Sequence, residues 1–212
     1  MRQRKIKNIE QKLEELNEFS VAEPKECKGR WAEIFGNDNP IYLELGCGKG
    51  NFILGQSKDK PNCNFIGVEG QSSVLLRAFE KARENGCDNV RLFCDFVNDV
   101  RDYFDDGELA GVYLNFSDPW PKARHAKRRL TYGQHLKQYM QIIKSGGFVE
   151  FKTDNDGLFE FTMEQIEEQN MTVVEISRDL HNSQFTAKNI TTEYEDKFRG
   201  LGKNINYVRI RA

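Results

Sequence analysis

This 212-residue chain lacks the residue patterns that metal and disulfide chemistry require. Its five cysteines, Cys27, Cys47, Cys63, Cys87 and Cys94, are odd in number and include no CxxC pair. Neither a disulfide framework nor a zinc site is expected. The three histidines, His125, His135 and His181, stand apart without ligand spacing, so no metal is expected. No stretch approaches the roughly eighteen apolar residues of a membrane span. Positive charge is not in excess either, since 31 Lys+Arg face 33 Asp+Glu for a net charge of −2. Bulk composition therefore does not announce a nucleic-acid binder, and any such binding has to come from local clustering. The basic opening MRQRKIKN is followed by no apolar h-region, which makes it an arm and not a signal peptide. No repeat or low-complexity tract appears. A reducing cytoplasm is the default setting.

What is present is a regular alternation. Residues 1–30 read as a basic, amphipathic arm, with Ile6, Ile9, Leu13 and Leu16 at helical spacing. Residues 31–212 read as one domain. Buried strands are expected at 41–45, 64–69, 90–94, 111–116, 146–153, 171–177 and 205–211. Helices are expected from the glycine turn to Gln56, over 73–86, briefly up to Phe104, over 130–143 and over 158–169. Short apolar strands alternating with helices imply an α/β fold, a Rossmann-like, mostly parallel sheet with helices on both faces.

Glu44 ends the first strand, and GCGKG (46–50) opens the next helix. Glycines there let backbone amides approach a ligand at a helix N-terminus. A dinucleotide fold wants G-x-G-x-x-G, but its third position falls on Asn51. An acid two residues before Gly46, with Gly48 and Gly50 following, is the form used for S-adenosylmethionine (SAM), though the loop alone does not decide between the two. Glu69, at the end of the second strand, stands where doubly wound folds place an acid on ribose hydroxyls. Asp95 follows the third strand.

The densest signal is Asn115 to Arg129, NFSDPWPKARHAKRR. Two prolines fix the backbone around Asp118 and Trp120. Lys122, Arg124, His125, Lys127, Arg128 and Arg129 follow with no acid between them. Most charge runs are only solvated faces. This one follows a buried strand, and the carboxyl ends of such strands are where open α/β sheets bind ligands.

ELGCGKG, IGVEGQ, YLNFSDPWPKARHAKRRLT, FKTDN and TEYEDKF occur in the order and spacing of the bacterial tRNA (guanine-N7-)-methyltransferases, which the chain resembles from about Trp31 onward. The resemblance implies a class I SAM-dependent methyltransferase acting on guanine 46 of the tRNA variable loop, monomeric or homodimeric. It implies Asp118 as the catalytic acid. Glu44, Gly46, Gly48, Glu69, Asp95, Phe96 and Asp118 are the implied cofactor contacts. Lys122, Asp154, Thr192, Glu193, Tyr194 and Glu195 are implied at the substrate, with Arg124, His125, Lys127, Arg128 and Arg129 on RNA. Thr192 and Glu195 also read as the N-cap and partner of a capping box. The chain departs from the family at residue 96, where an adenine-contacting acid is expected and Phe96 stands, and at Gly70, where bulkier residues are common.

Overall fold

Strands that carry almost no charge and are bounded by glycine turns bury themselves on both faces of a sheet. The computed structural model describes residues 8–212; Ile6 and the basic opening lie outside them. Seven strands form one sheet: β1 Ile41–Leu45, β2 Asn64–Glu69, β3 Val90–Cys94, β4 Leu109–Asn115, β5 Ile143–Thr153, β6 Thr172–Ser177 and β7 Asn206–Arg211. Their order is β3-β2-β1-β4-β5-β7-β6, with β7 antiparallel to both of its neighbours and the rest parallel. β4 is buried along its whole length, while the edge strand β6 is exposed at alternate residues. The order reverses between β1 and β4, and ligands of doubly wound sheets bind at that switch.

The helices are α1 Ile9–Glu14, α2 Trp31–Phe35, α3 Asn51–Asp59, α4 Ser72–Asn85, α5 Gly133–Ile142, α6 Asp156–Glu168 and α7 Glu193–Gly200. Gly86 ends α4 in the left-handed conformation (φ 61°), which a residue without a Cβ adopts freely. Several elements differ from the sequence expectation, among them β5, which starts at Ile143 and not 146, and α3, which runs to Asp59 and not Gln56. β4 stops at Asn115 because Phe116 leaves the strand at φ 51°. The helix expected from residue 130 starts at Gly133, and Ala123–Arg128 forms a separate 3-10 turn. The stretch before Phe104 is one 3-10 turn, capped by the Asp99 side chain on the Arg101 N–H. α2 and α7 were not marked as helices by periodicity.

One core lies between the sheet and α5 and α6, and a second lies under α3 and α4. The segment before residue 31 belongs to this packing: Leu16 and Phe19 are buried in the second core. Trp31 has no exposed surface and stacks on Phe93 and Phe104, with its indole N–H donating to the Tyr103 carbonyl at 2.8 Å.

The position of α7 is set by a lysine inside β5. Lys152 is completely buried and has three acceptors for its three N–H donors: Glu195 Oε2 at 3.0 Å, Asn189 Oδ1 at 3.0 Å and the Ile190 carbonyl at 2.9 Å. Its ammonium also lies 4.6 Å from the Phe52 ring centre on α3. Glu195 is equally buried, so the pair has no solvent to fall back on. Removing one partner of such a pair strands the other charge, at about 3–5 kcal/mol. Lys152→Met should therefore lower unfolding free energy by about that much, while Lys152→Met combined with Glu195→Leu should recover most of the loss. Urea titrations of the four species test this; strictly additive losses would show that the two side chains act independently.

Candidate active site at the carboxyl ends of β1, β2 and β4

The turn after β1 is built from glycines in the left-handed region, with Gly46, Gly48 and Gly50 at φ 78°, 57° and 83°. Gly46 and Cys47 donate to the Val68 carbonyl at 2.8 and 2.9 Å, which fastens the turn to β2. A Cβ on Gly50 would lie 2.9 Å from that of Ala78, so this glycine serves the packing of α3 on α4. At Gly46 and Gly48 a Cβ would meet nothing within 4 Å, and the turn faces open space there. Glu69 stands half-buried beside it, accepting from Gly48 N–H at 3.1 Å and Gln71 N–H at 3.0 Å.

Glu44 is buried to within 2% and bridges the switch point, accepting from Asn115 Nδ2 at 2.7 Å through one oxygen. Its other oxygen, together with Asn115 Oδ1 and Ser117 Oγ, has no partner among the described residues. Burial pushes the Glu44 carboxyl up to about 8, against the Asn115 hydrogen bond and the charge of Lys152. The open glycine face, an acid at the ribose position and an orphaned buried acceptor suit a ligand carrying hydroxyls and positive charge.

The Asp118 loop stores strain. Phe116 at φ 51° and Trp120 at φ 40° are non-glycine residues in a region that side chains disfavour, one on each side of Asp118. Arg129 holds the turn, donating to the carbonyls of Pro119 (3.0 Å) and Trp120 (3.1 Å) while its guanidinium lies 4.1 Å from the Phe161 ring centre. Two of the five Arg129 donors are thereby used inside the loop. Trp120 is packed in the same way, with the His125 ring edge-on at 5.8 Å and Arg128 over its face at 5.0 Å. Lys122, Arg124 and Lys127 are exposed, as is Asp118, whose carboxylate has no partner among the described residues.

Asp154 is half-buried directly after β5. Thr192 caps α7, its hydroxyl accepting from Glu195 N–H at 2.9 Å. The second half of the capping box is absent, because the Glu195 side chain turns into the core toward Lys152, Asn189 and His181, whose Nε2 lies 3.4 Å away. Both Glu195 oxygens are thereby occupied. Glu193 pairs with Lys81 on α4 at 2.8 Å, and Lys81 also reaches Asn51, tying α7 to α4 and to the start of α3. Tyr194 is exposed and stacks on Phe116 with ring centres 6.4 Å apart. Asp95 accepts the Tyr103 hydroxyl at 2.6 Å, and Phe96 is exposed. Lys81, Asn115, Lys152 and Asn189 were not singled out from sequence. Of these, only Lys152 left a signal, a lysine inside an otherwise buried strand.

Fold and site define a class I SAM-dependent methyltransferase. Solved structures agree on the fold: an antibiotic-related methyltransferase matches with a TM-score of 0.62 at 14% identity, over 87% of this chain and 92% of that one. The 30S ribosomal A1408 methyltransferase from an uncultured bacterium matches at 0.59 and 15%, over 86% and 92%. A family model described as "Putative methyltransferase" covers residues 38–208. The tRNA (guanine-N(7)-)-methyltransferase of Bacillus velezensis is 47% identical over 193 residues, 91% of this chain and 88% of its own. That of Streptococcus agalactiae is 46% identical over 211 residues, the whole of both chains. The chain belongs to the bacterial tRNA (guanine-N7-)-methyltransferase family.

The raised Glu44 carboxyl has a stability consequence. The folded protein keeps a proton that the unfolded chain releases near 4.5, so this group's contribution is full below that value and is lost as pH rises toward about 8. Glu44→Gln has no such proton to lose. Relative to the cofactor-free parent, the variant should gain stability across that window by up to about 1.4 kcal/mol per pH unit. Urea denaturation of both proteins at a series of pH values between 5 and 8 checks this; parallel profiles would mean that Glu44 is already ionised.

Proposed function

We propose that the protein methylates N7 of guanine 46 in the variable loop of tRNA, with SAM as the methyl donor. The observation that carries this reading is Asp118: an exposed, unpartnered carboxylate held in a strained loop beside the switch point. Guanine N7 has a free lone pair and no proton to remove, so the site needs alignment and charge compensation instead of a strong base. SAM supplies an electrophilic methyl group when bound. Asp118 faces the purine as positive charge develops on it, and a fixed carboxylate there stabilises the transition state. Asp154 accepts from N1–H and the 2-amino group, a donor pair that adenine does not present. Tyr194, backed by Phe116, supplies an aromatic wall to the same pocket. Lys122, Arg124 and Lys127 take the phosphates that flank the target. A methyltransferase for small molecules would have no use for these cations beside its pocket.

The catalytic unit in this reading is residues 31–212, with 1–30 as an arm whose Leu16 and Phe19 pack into its core, working in the cytoplasm. No described helix is long and apolar enough to cross a membrane. Incubation with labelled SAM and bulk tRNA, followed by nucleoside analysis and mapping of the modified position, tests the activity directly. Recovery of a methylated nucleoside other than N7-methylguanosine would sink it.

Two variants separate chemistry from grip. Asp118→Asn preserves shape but removes charge, and single-turnover methylation at saturating SAM and tRNA should fall about 10²–10³-fold. A rate within a few fold of the parent would make Asp118 structural. Replacing Lys122, Arg124 and Lys127 together by Ala should weaken tRNA binding and flatten its dependence on salt, by roughly 0.7–0.9 in log–log slope for each lost phosphate contact. SAM affinity should not change. An unaltered salt slope would reduce the basic turn to a solvated face.

A further inference from the structure

Gly70 and Phe96, the two departures from the family pattern, meet in the folded chain. A Cβ placed on Gly70 would collide with three atoms of the Phe96 ring, so the ring rests on the bare backbone directly after Glu69. Phe96 nevertheless remains 72% exposed. A single exposed ring means little by itself, and its place gives it meaning. It stands at the carboxyl-end rim of β2 and β3, against Gly70, the residue directly after Glu69; with the ribose on Glu69, the attached base lies at that rim. The nearest alternative, Asp95, is held elsewhere: it accepts the Tyr103 hydroxyl at 2.6 Å, and Tyr103 is stacked on Phe93 in the main core with ring centres 5.5 Å apart. Asp95 and Phe96 both follow β3, and their side chains have different neighbours, Tyr103 for Asp95 and Gly70 for Phe96.

We propose that Phe96, seated on Gly70, stacks on the adenine ring of the bound cofactor, and that no carboxylate reads the adenine 6-amino group. The proposal rests on the ribose lying at Glu69. A π-face accepts any purine. A carboxylate acceptor at the amino group would instead reject a 6-oxo purine, which presents a lone pair where adenine presents N–H donors. The chain should therefore tolerate hypoxanthine in place of adenine.

Calorimetric titration with S-adenosylhomocysteine and S-inosylhomocysteine tests this without turnover. The parent should bind both within a few fold. Phe96→Ala should weaken both by roughly 5- to 100-fold, the worth of one stacked base, and Phe96→Tyr should restore them. Phe96→Asp should separate the two ligands by about 10- to 100-fold in favour of the adenosyl form. Because residue 96 is exposed, all variants should keep the parent's unfolding midpoint. Unchanged affinity in Phe96→Ala, while Glu69→Ala binds weakly, overturns the stacking role and leaves the ribose placement standing. Unchanged affinity in both variants overturns the ribose placement as well. A parent that prefers the adenosyl ligand by more than about 30-fold also overturns the proposal, since only a placed polar group discriminates to that degree.

Discussion

Lys152 and Glu195 sit where water does not reach, and three structural layers converge on them. The lysine belongs to β5, the glutamate to α7, and the ring of Phe52 on α3 lies over the ammonium. An ion pair in such a place is weak evidence of stability, because desolvation consumes most of its attraction. What it supplies is uniqueness. Any other packing of the segment from His181 to Glu195 would leave a buried charge unmatched, so α7 has one position on the sheet. Asn189 and the Ile190 carbonyl complete the lysine's donors, which extends the constraint into the chain leading up to α7.

That fixed position divides the acids of the cleft into two kinds. Glu44 and Glu195 are enclosed, one with its carboxyl pushed up by burial and one held by a lysine. Asp118 and Asp154 lie nearer to solvent, and neither has a partner among the described residues. The enclosed acids shape the walls, and the open ones face whatever enters. The same division runs through the basic turn, where Arg129 folds back to hold the loop that carries Asp118 and leaves its neighbours outside.

Much of the sheet was legible because period and punctuation agree there: apolar strands of five to seven residues end in glycine turns or helix caps. α7 was visible only through its cap, since EYEDKFRG carries too few apolar residues for a clear stripe. The motifs name candidate site residues but not the direction of their side chains. Glu195 and Arg129 lie where the motif puts them, yet both side chains turn inward toward long-range partners that no local spacing encodes. The same limit applies to Gly70 and Phe96, separated by a strand and a helix and joined only by the sheet. Lys152 shows the converse case: a charge inside an apolar strand announces a partner without saying which.

The basic turn of residues 122–129 projects from a molecule whose net charge is −2. A polyanion diffusing toward such a body is drawn in where cations cluster, and residues 122–129 are one such place. Orientation is then sorted during the encounter, before any base is contacted. Under the proposed function, collisions that survive bring tRNA to the side of the molecule that carries Asp118, so a larger share of them is productive. Spread evenly over the surface, the same cations would retain their count and lose that directional gain. A near-neutral protein thus acquires a docking polarity from eight consecutive residues, and it does so without the non-specific stickiness of a uniformly basic one.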